Sequence, residues 1–433
     1  FNVLIKESFF GEKVLPKSAD APKVLEAFML QAVIWSIGVC LDGDGRERFN
    51  VFMRQICDGS IKGNEVWDLF LVKTPAYHNH VNLETLRTTK LMPPGSGSIY
   101  EFLFNPKTMK WANWMTLCGT YNIPKDATFN KILVPTIDTV RNGWNMNILL
   151  TNGLSVMCTG ETGTGKSVSM ATKLMQEMDR DIYVPVFLTF SAQTSANQTQ
   201  DIIDGKLQKR RRGVYGPPLG KKCIIFVDDL NMPAKEKYGA QPPIELLRQA
   251  IDHKGWYDRK DQTFMTLQDV QFATAMGPPG GGRTRITQRY VRHFNVLGFV
   301  PFDRESLQRI FTSITEWMLG TFNTKIRGFA RQLVSSTIDV YATISKELLP
   351  TPKKAHYTYN LRDLAKVFQG VAMASPDKVQ EGEQFVRIWV HECMRVFHDR
   401  LICDEDRDWF TKKISDKVQQ HYKMSWDDPR VKD

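Results

Sequence analysis

Gly160-Glu161-Thr162-Gly163-Thr164-Gly165-Lys166-Ser167 is the stretch from which the rest of the chain can be read. It fits G-x-x-x-x-G-K-[ST] at every position. Glycines at this spacing let a backbone wrap an anion with successive N–H groups pointing inward. A helix that follows presents its positive N-terminal end to the same anion. Lys166 is placed to reach the β- and γ-phosphates of a nucleoside triphosphate, and the Ser167 hydroxyl to ligate Mg²⁺. The expected ligand is ATP with Mg²⁺. Upstream, Ser155-Val156-Met157-Cys158 is a short apolar run that ends at the glycine turn. Downstream, Lys166 to Asp179 reads as a helix with Met170, Leu174 and Met178 on one face. Strand, glycine-rich turn and helix form the context that the motif requires.

Working outward, four further strands are predicted. They are Ile182 to Phe190, then Cys223 to Val227 ending at Asp228-Asp229. Val270 to Met276 follows, ending at Gly277-Pro278-Pro279-Gly280-Gly281-Gly282, and last Phe294 to Phe299. Strands alternating with helices predict an α/β fold, a parallel sheet covered on both faces. Ligands of such sheets bind beyond the carboxyl ends of the strands. Phe226-Val227-Asp228-Asp229 delivers carboxylates to that edge. Asp228 is expected to hold the Mg²⁺ shell, directly or through water, and Asp229 to orient or polarise the attacking water. Alone, an Asp-Asp turn after a buried strand would be an equal reading; the P-loop upstream favours the chemical one.

The flanks carry less chemistry. Residues 1 to about 130 hold an apolar helical segment, Ala27 to Cys40, a turn at Leu41-Asp42-Gly43-Asp44-Gly45 and a second helix, Arg46 to Cys57. Ile99 to Phe104 and Trp111 to Leu117 read as two strands around a turn. Residues from about 301 to 433 read as all-helical. Leu307, Ile310, Phe311 and Ile314 share a face there, as do Leu361, Leu364, Ala365 and Phe368, and Phe385 to Ile402 is amphipathic. The chain has 433 residues, 42% hydrophobic and 24% charged, which is ordinary for a soluble globular protein. No apolar stretch is expected to cross a bilayer and no signal peptide is visible. The start at Phe1 suggests an excerpt of a longer chain. The seven cysteines are scattered without metal-ligand or disulfide spacing and read as reduced thiols. A net charge of +10 admits a polyanionic partner without requiring one. Lys206 to Gly213 is a basic run that could grip nucleic acid or an acidic groove; a solvated loop is the better reading.

Several long strings resemble dynein heavy chain. Phe226-Val-Asp-Asp-Leu-Asn-Met-Pro233, Tyr238-Gly-Ala-Gln-Pro-Pro-Ile-Glu-Leu-Leu-Arg248 and Gly255-Trp256-Tyr257-Asp258 are similar to the third AAA+ module of the motor ring in axonemal dyneins. Met276-Gly-Pro-Pro-Gly-Gly-Gly-Arg283, Arg292-His-Phe-Asn295, Tyr359-Asn-Leu-Arg-Asp-Leu364, Val134-Pro-Thr-Ile-Asp-Thr-Val-Arg141 and His391-Glu-Cys-Met-Arg-Val-Phe397 carry the same resemblance. Most of residues 130 to 403 is covered. Gln31-Ala-Val-Ile-Trp-Ser-Ile37 resembles the helical tail of a preceding module. The resemblance implies three parts: 1–130, that tail with a connecting hairpin; 131–300, the large ATP-binding domain; and 301–433, a small helical lid. It implies ATP or ADP and Mg²⁺ as ligands, with Gly160 to Val168 around the phosphates and Lys166, Ser167 and Asp228 as the Walker residues. Val134, Pro135 and Thr136 would lie near the adenine, and Arg362 would be the sensor-2 arginine approaching the γ-phosphate. Arg289 or Arg292 matches the arginine-finger region, which serves a neighbouring module; an ion pair at a helix end is the other reading of Arg292. The implied partners are neighbouring modules of the same heavy chain, other dynein subunits through the parent chain and microtubules only through the parent's stalk. No nucleic acid or membrane is implied. The implied location is cytoplasm and cytoskeleton, in the ciliary axoneme.

Two departures from the family pattern temper the expectation of fast turnover. Asp229 stands where such ATPases place Glu, and its carboxylate is one methylene shorter. A shift of ~1 Å in a positioned water is worth roughly a hundredfold in rate. The usual sensor-1 Asn is missing, since Ala273-Thr274-Ala275-Met276 runs directly into the glycine loop. Three functions follow: a slowly hydrolysing regulatory module, a non-catalytic module with a structural nucleotide, and a nucleic-acid remodelling ATPase. The dynein-like strings disfavour the third.

Overall fold

Among the described residues a one-turn helix, Asn2–Ile5, precedes two longer ones, α1 (Ala21–Ser36) and α2 (Gly43–Asp58), and a hairpin of β1 (Phe102–Asn105) with β2 (Lys110–Asn113). The structure, a computed structural model, describes residues 2–5, 20–58, 92–119, 121–124, 126–129 and 132–425. The expected boundary between residues 130 and 131 lies outside them. Two compact units form: Phe1–Leu117 with Thr139–Pro301, and Cys118–Asp138 with Phe302–Asp433.

In the first unit, α1 buries Val24, Ala27, Phe28, Leu30, Gln31 and Ile34, the spacing of one helical stripe. One expectation is corrected here. Ala21–Cys40 is long and apolar enough to cross a membrane by length and composition. Its packing is nevertheless that of a core segment. Phe28 meets Phe104 edge-on at 5.7 Å, and Trp35 meets Tyr100 and Trp114 at 6.0 and 5.9 Å. The two strands expected around residues 99–117 are also shorter than predicted. Ile99–Glu101 and Trp114–Leu117 are 3₁₀ turns. Ser98 caps the first, and the Trp114 indole donates to the Tyr100 carbonyl at 3.0 Å, so these aromatics anchor turns rather than extend strands.

The α/β part follows: α3 (Ile137–Thr151), β3 (Val156–Gly160), α4 (Lys166–Thr172), β4 (Tyr183–Thr189), α5 (Ala196–Asp204), β5 (Gln208–Arg211), β6 (Val214–Gly216) and β7 (Lys222–Asp228). Then come α6 (Pro242–His253), β8 (Gly255–Tyr257), β9 (Phe264–Leu267), β10 (Val270–Met276), the short α7 (Gln288–Val291) and β11 (Asn295–Phe299). Five strands pair in parallel in the order β11-β3-β10-β7-β4. Their side chains alternate between two cores, as a period of two demands. Met157, Phe272, Cys223, Ile225 and Val227 enter one; Val156, Cys158, Ala273, Ala275, Ile224 and Phe226 enter the other. Burial on both faces is why these strands read as continuous apolar runs. The helix after the P-loop continues from α4 as a π turn, Lys173–Glu177, and buries Met170, Leu174 and Met178.

The basic run is solvated as expected, with Lys206, Lys209, Arg211 and Arg212 exposed, but it is not a loop. It forms the β5–β6 hairpin, which joins β9 and β8 in a second, four-stranded sheet. Arg210 ion-pairs with Asp269 and donates to the Pro217 carbonyl at 3.0 Å. Part of the run's charge is therefore used internally.

The second unit contains α8 (Arg304–Met318), α9 (Ala330–Glu347), α10 (Leu361–Ala372), α11 (Gly382–Cys393) and α12 (Asp404–Tyr422). Asp303 caps α8, and Asn360 with Asp363 forms a capping box on α10. Of the faces expected from spacing, Leu307, Phe311, Ile314, Leu364 and Phe368 are buried, while Ile310, Leu361 and Ala365 are half-buried. Phe311 stacks on Phe368 at 4.3 Å.

Candidate nucleotide site

The site is built at the carboxyl edge of the parallel sheet. Gly160 ends β3 so close to β11 that a Cβ would lie 2.2 Å from the Phe299 carbonyl oxygen. Gly163 and Gly165 have φ of 88° and 82°, a region that side chains disfavour. The loop thus coils back on itself before α4. Within it Lys166 is largely buried, and its ammonium donates to the carbonyls of Gly160 and Glu161 at 2.8 and 2.6 Å and to Thr164 Oγ1 at 3.3 Å. Burial pulls its pKa below the usual lysine value; the Arg283 charge pushes the same way, and Asp228 and Asp229 oppose it. The acceptors Lys166 holds are all neutral. A phosphate would give it a charged one, and such bonds are about twice as strong. Below the loop, burial pushes the Cys158 thiol up to about 12, which leaves it inert.

Ser167 Oγ donates to Asp228 Oδ1 at 2.8 Å. One strand, β10, separates β3 from β7, so this bond joins the two halves of the site. The Asp229 N–H donates to the same Asp228 oxygen at 3.0 Å. Asp229 itself has a φ of 50°. This left-handed turn lifts its carboxylate away from the strand, and the side chain is 44% exposed. Arg283 Nη2 lies 3.8 Å from it. Among the described residues no cluster of three or more His, Cys, Asp or Glu could hold a metal. Mg²⁺ usually needs only one or two protein oxygens beside phosphate and water, and the paired Ser167 and Asp228 oxygens fit that demand.

Sequence reasoning missed the residues that brace this edge. Asn231 is buried, and its Nδ2 donates to the Gly277 carbonyl at 2.8 Å. The Asn231 carbonyl accepts from Thr284 N–H and Oγ1 at 3.0 and 3.1 Å. Gln241 donates to Thr284 Oγ1 and the Pro233 carbonyl, both at 2.6 Å. Together they tie the glycine loop after β10 to the segment after β7. Each lies inside or beside the quoted strings, but spacing gave no reason to single them out.

Glu161 and Thr162 are exposed, Thr164 is buried and Val168 is exposed on the first turn of α4. Arg289 is exposed on α7. Arg292, just after it, pairs with Asp252 at 2.9 Å in a cluster with Arg248 and His293. Its side chain is 61% exposed, and such pairs contribute ~0–1 kcal/mol, so little holds it there. Val134, Pro135, Thr136 and Arg362 belong to the second unit. Val134 enters that unit's core, Thr136 is fully buried, and the Pro135 carbonyl accepts from Arg309 Nε at 3.0 Å. Arg362 is exposed at the start of α10, with its N–H bonded to Asn360 Oδ1 at 2.8 Å.

A parallel sheet in this order, with a P-loop after β3 and an acidic pair after β7, followed by a helical unit, defines a P-loop AAA+ module with its lid. Comparison with known proteins narrows the class. Residues 121–302 match the P-loop containing dynein motor region, residues 310–407 the dynein heavy chain ATPase lid domain, and residues 1–116 the dynein heavy chain AAA lid domain. The chain is 42% identical over 441 residues to dynein axonemal heavy chain 1 of Mus musculus, covering 95% of this chain and 10% of that one. It is 44% identical over 425 residues to the Homo sapiens counterpart, covering 95% and 10%. With dynein axonemal heavy chain 12 of Mus musculus the identity is 42% over 406 residues, covering 93% and 13%. The chain belongs to the dynein heavy chain family. It spans about a tenth of the length of the curated relatives it matches.

Proposed function

We propose that this chain is the third AAA+ module of an axonemal dynein motor ring, with the end of the preceding module. It binds ATP with Mg²⁺ and hydrolyses it slowly. The observation that carries the reading is the 2.8 Å bond from Ser167 to Asp228, beside a buried Lys166 whose acceptors are all neutral. Bound Mg²⁺ would neutralise charge developing on the phosphates. Lys166 would exchange its carbonyl partners for phosphate oxygens. Asp229 would hold the attacking water by accepting its hydrogen bond. Slow turnover follows from the short Asp229 side chain, from its loose pairing with Arg283 and from the missing sensor-1 Asn.

On this reading Val134, Pro135 and Thr136 would lie near the adenine, Arg362 would act as sensor 2, and Arg289 or Arg292 would serve the next module. Nucleotide state would alter how neighbouring modules of the heavy chain pack, which is coupling by rigid-body motion. Other dynein subunits and microtubules would be engaged only through the parent chain, in the ciliary axoneme. A second reading, a trapped structural nucleotide, is favoured by the same Asp229. The test is the nucleotide content of the purified chain beside Lys166→Ala, followed by single-turnover decay of bound ATP. Bound nucleotide in the parent alone supports the site, and measurable decay supports the slow ATPase. ATP that persists for many hours supports the structural nucleotide. No nucleotide, even after adding Mg²⁺-ATP, overturns both.

A further inference from the structure

Arg283 reaches the site by an unusual route. The chain leaves β10 through Gly280, Gly281 and Gly282, with φ of 126°, 57° and 85°. Gly280 and Arg283 exchange both backbone hydrogen bonds at 3.0 Å, which closes the loop into a tight turn. Thr284 is then tied to Asn231, so the base of Arg283 is fixed. Its side chain runs back over Gly277, where a Cβ would lie 2.9 Å from Nε and 3.0 Å from Cδ. Only glycine leaves that path open. The guanidinium ends with Nη2 3.8 Å from Asp229, too long for a hydrogen bond, and with a buried Nε that has no hydrogen-bond partner. Its charge is felt at Lys166. A cation on a fixed base thus lies beside Asp229, within electrostatic reach of Lys166, with its Nε unspent. A buried donor left without an acceptor costs ~1–3 kcal/mol, so an incoming anion would relieve it.

We propose that Arg283 is a residue that binds the terminal phosphate in cis, donating to the γ-phosphate of ATP beside Asp229, and that glycine at 277 is what admits it. The inference rests on the P-loop reading above. It makes Arg283 a group that helps tell ATP from ADP within this chain, beside Lys166 and the sensor-2 role proposed for Arg362, and independent of any arginine supplied by a neighbour.

Binding of Mg²⁺-AMP-PNP and Mg²⁺-ADP to the purified chain, by calorimetry, tests this in wild type, Arg283→Ala and Gly277→Ala. Arg283→Ala is expected to weaken AMP-PNP ~10–100-fold, the worth of one or two charge-assisted hydrogen bonds. ADP affinity is expected to stay within about twofold. Gly277→Ala keeps the charge but displaces the side chain, so it should weaken AMP-PNP selectively and by less. An unchanged thermal midpoint without nucleotide shows that each variant is folded. If Arg283→Ala does not fold, Gly277→Ala decides alone. Equal loss for both nucleotides, or no loss, overturns the role of Arg283 while leaving the nucleotide site standing. Failure of wild type to bind either nucleotide overturns the site and the inference together.

Discussion

At the residue scale the proposed function rests on Lys166, Ser167, Asp228 and Asp229, and all four were legible in the sequence because nucleotide chemistry calls for those residue types at the end of a strand and in a P-loop. Lys166→Ala should abolish detectable ATP binding in equilibrium dialysis, since no other described cation replaces the buried ammonium among the loop carbonyls. Retention of wild-type affinity would sink the site. Asp229→Glu should speed single-turnover decay of bound ATP ~10–100-fold by restoring the reach of the carboxylate. The gain is opposed by conformation. Position 229 has a φ of 50°, which Asp tolerates better than Glu, so the variant should also lose up to about 1 kcal/mol of stability. A slower decay would show that Asp229 does not position the water. That backbone angle, and the pairing with Arg283, could not be read from residue order, because both arise from how two separate turns meet.

Elements decide whether those residues meet. Gly160→Val would drive a branched side chain into the Phe299 carbonyl of the adjacent strand, already 2.2 Å from a bare Cβ. It should lower the thermal midpoint and eliminate nucleotide binding together; normal stability with normal binding would contradict the close pairing of β3 and β11. Gly298→Ala makes the same kind of test on the N-terminal segment. A Cβ there would lie 2.3 Å from the Val39 carbonyl, and Arg46 bonds the Gly298 and Val39 carbonyls at 2.6 and 3.1 Å. Overpacking of this kind costs ~1–3 kcal/mol. The variant should expose residues 38–46 to limited proteolysis sooner than wild type, and an unchanged cleavage pattern would argue against the seating. Elements also show where sequence reading failed. Lys206 to Gly213 reads as a loop because its exposed charges mask an edge hairpin, whose partners, β9 and the Asp269 carboxylate, lie about fifty residues away in sequence.

For the whole molecule, nucleotide is expected to act as a stabiliser of the folded state. Ligand at a hundred times its Kd adds about 2.7 kcal/mol to the form that binds it. Mg²⁺-ATP should therefore raise the thermal midpoint of wild type and leave that of Lys166→Ala unmoved, as scanning calorimetry can record. A shift of equal size in both would mean that the nucleotide binds elsewhere. Burial likewise decides the character of α1. The stretch Ala21–Cys40 that contains it would allow a membrane span by length and composition, yet Phe28 on its apolar stripe meets Phe104, and Trp35 near its end meets both Tyr100 and Trp114.

The sequence by itself determined the α/β class, the five parallel strands, the helical tail of the chain and the P-loop with its acidic partner. It could do so because strands buried on both faces are continuous apolar runs and because phosphate binding demands glycines at set positions. Only the tertiary structure decided that β10 lies between the two acidic and glycine-rich edges, that the N-terminal segment packs in one unit with the sheet, and that Arg283 stands beside Asp229. Those facts depend on contacts between residues far apart along the chain, where local propensity and spacing carry no information.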